Sequence, residues 1–319
     1  MIKRLTALMI LICMSAFLFA GCEYESPEVY PSVEVSSPVE ISTSVSAPVT
    51  EPPNLIMASP SPKEESDEEI RSRIESLYGV TVIWGGDEVF VEPGMGLIYD
   101  ESPCSTPGLL RKALITLDEQ LALYPEGFFG QMPQPYFIMA EWVRTATDGT
   151  VLGYADYGKG YTAIFATANE DFLEELDWYG EGDIVGQAGI DFVSTLHHEI
   201  GHTVFGMTSF DGANVFDFDR YFEILPDGFV PPVNVNDDSY KKYLPTDDIE
   251  QVYFCSLYAM KNPMEFMAEL FCLSMKQSLI WTFASPHVQA QLRLFFEAIR
   301  DTFNSDGWPE QTYWERALR

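Results

Sequence analysis

Four histidines occur in 319 residues, and three of them, His197, His198 and His202, fall within one stretch of six. His198-Glu199-Ile200-Gly201-His202 reads H-E-x-x-H. On an α-helix, residues four apart stand one above the other on the same face. The imidazoles of His198 and His202 therefore converge on one point, as two ligands of a single Zn2+ must. Glu199 follows the first ligand and is placed to act as general base on a water at that metal. His197 projects about 100° away from His198 and is not counted as a ligand. The bland alternative is a core helix that carries two histidines by chance, since Phe192, Val193, Leu196, Ile200, Val204 and Phe205 make the segment apolar. With so few histidines, chance would place the pattern in under about one such chain in a hundred. Gly201 costs about 1 kcal/mol relative to Ala in a helix interior, which makes sense if another backbone passes close by.

A catalytic zinc commonly takes three protein ligands and keeps a fourth position open. The extended pattern H-E-x-x-H-x-x-G-x-x-H is excluded, because Phe205 and Thr208 stand at its glycine and third histidine. His287, in Ser285-Pro286-His287, has no local partner and reads as a surface or helix-start residue. A carboxylate ligand is then needed, and residues 258–271, YAMKNPMEFMAELF, offer two. Asn262 suits a helix N-cap and Pro263 the first helical position. Glu265 and Glu269 then lie four apart on one face. Glu265 could ligate while Glu269 hydrogen-bonds a ligating histidine, which fixes the ring's tautomer and raises its basicity. Against this, Glu265 stands third after the cap, where a capping-box glutamate belongs. Spacing leaves both readings open.

Tyr258, Asn262, Glu265, Phe266, Ala268, Glu269 and Phe271 have the spacing Y-x3-N-x2-E-F-x-A-E-x-F. Together with H-E-x-G-H, this resembles the gluzincin-like zinc endopeptidases typified by the anthrax lethal factor catalytic domain and the secreted Pro–Pro endopeptidases. The two motifs cover fewer than 20 residues. The resemblance implies a zincin-like domain holding one Zn2+, with His198, His202 and Glu265 as ligands. It also implies Glu199 as base, Tyr258 as the hydroxyl facing the scissile carbonyl, and Glu269 as the carboxylate supporting the site. The interval from His202 to Glu265 is long for the family, so 208–251 looks inserted or enlarged. The residues behind Pro–Pro specificity find no match here, so that specificity is not carried over.

Around this centre the chain divides into three parts. Residues 1–21 read as a signal peptide, with Lys3 and Arg4 ahead of an apolar run from Leu5 to Ala20. Leu18-Phe19-Ala20-Gly21-Cys22 resembles a bacterial lipobox, which implies cleavage before Cys22, lipid on Cys22 and an extracytoplasmic, membrane-anchored protein; an ordinary secreted protein is the alternative. Residues 22–64, rich in Pro, Ser, Val and Glu, cannot bury enough apolar area to offset their ordering entropy and read as a disordered tether. Residues 65–319 then form one domain.

The net charge of −31 argues against nucleic acid as a partner. It would attract basic peptides or cationic wall polymers, although plain solubility explains it as well. Beyond Cys13 and Cys22 only Cys104, Cys255 and Cys272 remain, too few for a disulfide scaffold.

Apolar spacing predicts helices over 68–78, from Thr106-Pro107 to 123, over 263–275 and over 289–303. Strands are expected at 80–83, 136–143, 151–157 and 161–167, with a turn at Asp148-Gly149. Residues 208–251 read as a long structured loop. The class is α+β, a small mixed sheet packed with the H-E-x-x-H helix and further C-terminal helices. The expectation is a monomeric zinc metallopeptidase, an endopeptidase acting on a peptide or protein substrate. The competing expectation is a surface lipoprotein of the same fold that binds a protein or ligand without catalysing.

Overall fold

The computed structural model describes residues 65–84, 99–104, 108–145, 150–158, 160–168, 191–210, 215–232, 238–277 and 282–319. The expected signal peptide, Cys22, the tether, Thr106-Pro107 and the Asp148-Gly149 turn lie outside them. Within them the chain is of mixed α+β class.

Two helices come early among the described residues. Helix α1 (Asp67–Tyr78) starts in a capping box, in which the Ser66 hydroxyl accepts from the Glu69 amide and the Glu69 carboxylate accepts from the Ser66 amide. It ends at Gly79, whose φ of 70° is the left-handed conformation that glycine adopts without strain. Helix α2 (Leu109–Leu121) buries Leu110, Ala113, Leu114, Leu117 and Leu121, a spacing of three and four that makes one apolar face.

The sheet holds β1 (Thr81–Ile83), β2 (Tyr99–Pro103), β3 (Pro135–Thr145), β4 (Thr150–Val151), β5 (Gly153–Gly158) and β6 (Tyr161–Thr167). Its main order is β1-β3-β6-β5, with β2 and β4 both pairing with β3. Strands β1 and β6 run parallel to β3, while β5 runs antiparallel to β6. Because side chains alternate, Phe137, Met139, Ile164 and Ala166 join the large core, whereas Ile138, Ala140, Ala163 and Phe165 form a smaller cluster on the opposite face. Strand β2 is not foreshadowed in the sequence. Its residues, YDESP, lack an apolar alternation, and backbone pairing to β3 places it.

Helix α3 (Phe192–Ser209) is buried along almost its whole length. It lies between the sheet and α5 (Pro263–Lys276), with α6 (Pro286–Thr302) packed beside them. A helix buried on every side has no polar face to spare, so its histidines and glutamate lie in the core. The stretch 208–251 is less irregular than expected. Helix α3 runs on to Ser209, and a short α4 (Phe218–Ile224) follows, capped by Asp217. Phe216 packs against Phe205 at 5.0 Å between ring centroids, and Phe218 against Phe216 at 5.0 Å. Seven residues with aromatics on several sides carry too weak a 3.6-residue period to show as a helix in sequence.

The C-terminal segment closes the core through Trp314. Its ring lies 5.6 Å from that of Phe128 and 5.7 Å from that of Phe271, centroid to centroid. Nearby, Arg300 forks onto Glu315, donating from Nε to Oε1 at 2.8 Å and from Nη2 to Oε2 at 2.6 Å, and the Thr312 amide donates to Oε2 at 2.7 Å. Burial alone would raise the Glu315 carboxyl, but Arg300 and Thr312 outweigh it and hold the group below its usual 4.5. A carboxyl lowered on folding contributes stability that is present above its unfolded value and is lost as the pH falls through the folded value. Glu315→Gln is therefore expected to unfold at lower denaturant than wild type at pH 7. Denaturant titrations at successively lower pH should show that gap closing once the pH drops below 4.5. A gap that is constant with pH would contradict this account.

Candidate metal centre

Helices α3 and α5 run antiparallel in a register that can be followed residue by residue. Asp191 meets Lys276, Ser194 meets Cys272, His198 meets Glu269, and His202 meets Glu265. At one end the Lys276 ammonium donates to Asp191 Oδ2 at 2.7 Å and to Ser194 Oγ at 2.8 Å. Asp191 also caps α3, its Oδ1 accepting from the Ser194 amide at 2.6 Å. Midway, the two backbones nearly touch. A Cβ on Gly201 would lie 2.9 Å from Ala268 Cα and 3.2 Å from its carbonyl oxygen.

This close crossing brings the ionisable groups together. His198 Nε2 lies 3.3 Å and His202 Nε2 3.2 Å from the same oxygen, Oε2 of Glu265. The two imidazole rings are 4.6 Å apart between centroids and nearly perpendicular, at 86°. One ligand atom from each of His198, His202 and Glu265 lies within 4.8 Å of the others, and all three residues are buried. This group could hold a metal ion. Glu269, one turn beyond Glu265, places Oε1 3.2 Å from His198 Nδ1. The Tyr258 hydroxyl donates to Glu265 Oε1 at 3.2 Å, and the Lys261 ammonium sits 3.8 Å from the centre of the Tyr258 ring.

The donor set fits a cation. His198 faces a carboxylate oxygen from each ring nitrogen, yet a neutral imidazole has only one N–H. A cation held by His198, His202 and Glu265 would leave the His198 proton on Nδ1, facing Glu269 Oε1. Burial pushes the Glu265 carboxyl up, but His202 and His198 beside it outweigh that and hold it well below the usual carboxylate range. Glu265 also stands where a capping-box side chain would turn back to the helix start. The helix start is instead served by Asn262 Oδ1, which accepts from the Met264 and Glu265 amides at 2.9 Å each. The Glu265 oxygens turn to the histidines and Tyr258.

Glu199 is buried at 1% exposure, and its stem borders β5. A Cβ on Gly153 would lie 3.3 Å from Glu199 Cγ and 2.6 Å from Thr195 Cγ2, so glycine lets the strand press against the helix. His197 turns to the other side of α3, between the Tyr124 hydroxyl at 2.8 Å and Gln120 Oε1 at 3.0 Å. Burial, then the Lys276 ammonium, pushes it down to about 3, so its ring is neutral and serves as a core tie to α2. His287 is far in role from the centre: it stacks on Tyr253 at 3.8 Å between ring centroids, and its Nε2 donates to the Glu250 carbonyl at 3.1 Å. Cys104, Cys255 and Cys272 are buried and unbridged. Burial, then Glu269, pushes the Cys272 thiol up to about 12, so it stays protonated beside the carboxylates.

One participant escaped the sequence reading. Ser256, 1% exposed, donates from Oγ to Glu269 Oε2 at 2.9 Å and accepts from the Ala259 amide at 3.0 Å. Its only sequence signal is its place two residues before Tyr258.

The crossing predicts opposite outcomes for two glycines of one helix. Gly201→Ala pushes a methyl into the Ala268 backbone and should destabilise by about 1–3 kcal/mol in equilibrium denaturation. A Cβ at Gly206 meets nothing within 4 Å, so Gly206→Ala should be neutral or stabilising by up to about 1 kcal/mol. Equal effects at both sites would mean that the helices do not cross this closely. Comparison of the chain with protein-family models, curated proteins and solved structures finds no match in any of the three.

Proposed function

We propose that this chain is a zinc endopeptidase of zincin-like fold, and that Cys22 carries a lipid that holds it on the outer side of a bacterial cytoplasmic membrane. The observation that supports the catalytic reading most strongly is the convergence of His198 Nε2 and His202 Nε2 on Glu265 Oε2 inside a buried helix crossing. Two neutral nitrogens and one carboxylate form the ligand set of many catalytic zinc sites. The proposal for the membrane anchor draws on the N-terminal sequence, and no helix among the described residues is long and apolar enough to cross a membrane.

In this reading His198, His202 and Glu265 hold one Zn2+, which would supply a Lewis acid that brings the pKa of water toward about 7 and polarises a peptide carbonyl. The Glu199 carboxylate takes a proton from the attacking water and returns it to the leaving amine. The Tyr258 hydroxyl, turning from Glu265 Oε1, donates its one proton to the carbonyl oxygen as negative charge develops there, a contribution on the order of 3 kcal/mol to the barrier. Glu269 accepts the Nδ1 proton of His198 and so keeps Nε2 available as a ligand. Among the described residues β5 pairs only with β6, and its Gly153 end abuts Glu199.

These roles separate by variant. Glu199→Ala should retain zinc and lose cleavage of a peptide library. Glu265→Gln should lose zinc. Tyr258→Phe should keep zinc and lower kcat about a hundredfold while changing KM little. Cleavage by the Glu199→Ala protein at the wild-type rate would remove the proposed mechanism. Zinc binding without any cleavage by wild type would favour a binding lipoprotein.

A further inference from the structure

We propose that Ser256 is a positioning residue for the metal centre, a hydroxyl that sets Glu269 against His198 and ties it to the turn carrying Tyr258. This rests on the metal-centre reading above and extends it to a residue that neither motif contains.

The chemistry of the three groups leaves one arrangement. An ionised carboxylate only accepts and a backbone amide only donates, while a serine hydroxyl has one proton and two lone pairs. The Ser256 proton is therefore committed to Glu269 Oε2, at 2.9 Å, and a lone pair to the Ala259 amide, at 3.0 Å. The two oxygens of Glu269 are divided, Oε2 to Ser256 and Oε1 to His198 Nδ1 at 3.2 Å. Rotating the carboxylate about its own axis breaks both contacts at once. The Ala259 amide belongs to the 3-10 turn Tyr258–Met260, so the same hydroxyl also anchors the turn whose Tyr258 reaches Glu265. Ser256, Glu269, Tyr258 and Glu265 are each less than 5% exposed, so water does not readily substitute for a lost partner. A carboxylate that orients a ligating histidine is typically worth a factor of ten to a hundred in metal affinity, and Ser256 acts through that carboxylate.

The test is a double-mutant cycle on the full-length chain, reading zinc affinity by competition with a chromophoric chelator. Ser256→Ala should weaken zinc binding about tenfold in the wild-type background. Ser256→Cys, of similar shape but a weak donor, should weaken it too. In a Glu269→Ala background, or Glu269→Gln if the alanine variant does not fold, Ser256→Ala should change affinity less than about twofold, because the residue has lost the group it acts through. Thermal midpoints of the zinc-free proteins separate this from general loosening, which would lower affinity by the same factor in both backgrounds. Equal factors in the two backgrounds, or wild-type affinity in Ser256→Ala, overturn the proposal while leaving the metal centre standing. Wild type that takes up no zinc overturns the metal centre itself, and this inference with it.

Discussion

Everything at the site depends on two helices crossing too closely for a side chain between them, Gly201 of α3 against Ala268 of α5. Helix axes more commonly pack about 8–10 Å apart, with side chains between them. Here the absence of a Cβ at 201 lets one backbone settle against the other. The residues one position along, His202 on α3 and Glu269 on α5, then cannot avoid each other's partners. The antiparallel register does the rest. Sites four apart on each helix face sites four apart on the other, so His198 and His202 meet Glu269 and Glu265. The Lys276–Asp191 pair fixes that register at the far end, where a slip of one turn would separate a buried ammonium from its carboxylate.

The crossing also creates an electrostatic problem that is solved locally. His198, His202, Glu199, Glu265 and Glu269 are all nearly buried. Removing an ion from water still costs several kcal/mol after relaxation, so each charge needs a counterpart. Three carboxylates and two imidazoles cannot neutralise one another without protons or a cation. The Cys272 thiol stays protonated and adds no further negative charge. A divalent cation held by His198, His202 and Glu265 would offset two of the three negative charges and would place the His198 proton where Glu269 accepts it. Any ion that binds the folded chain and not the unfolded one stabilises it by mass action, so a metal held at this centre would couple its binding to folding.

The sequence made the first half of this site legible and much less of the second. His198, Glu199 and His202 declare themselves through local spacing on one helix, and Gly201 already hints at a close neighbour. The start of α5 at Asn262-Pro263 is equally local, and it is where the structure puts it. Glu265 is different. Its spacing fits a capping box as well as a ligand, and what directs its oxygens to the histidines is a contact across 63 residues, from His202 to Glu265. Ser256 lies further out of reach, since its meaning comes from a carboxylate 13 positions away. The same limit hid β2, which is placed by its partner strand, and α4, which is placed by aromatic packing. Local periodicity finds elements, and only the folded chain shows which polar atoms face each other.

The most direct test of this account is the metal content of the purified full-length chain, by elemental analysis, before and after dialysis against a strong chelator. The account predicts about one zinc per chain, removable by the chelator and restored on adding zinc. A demonstrably folded protein that takes up no metal under those conditions would contradict the central claim that the helix crossing builds a metal site.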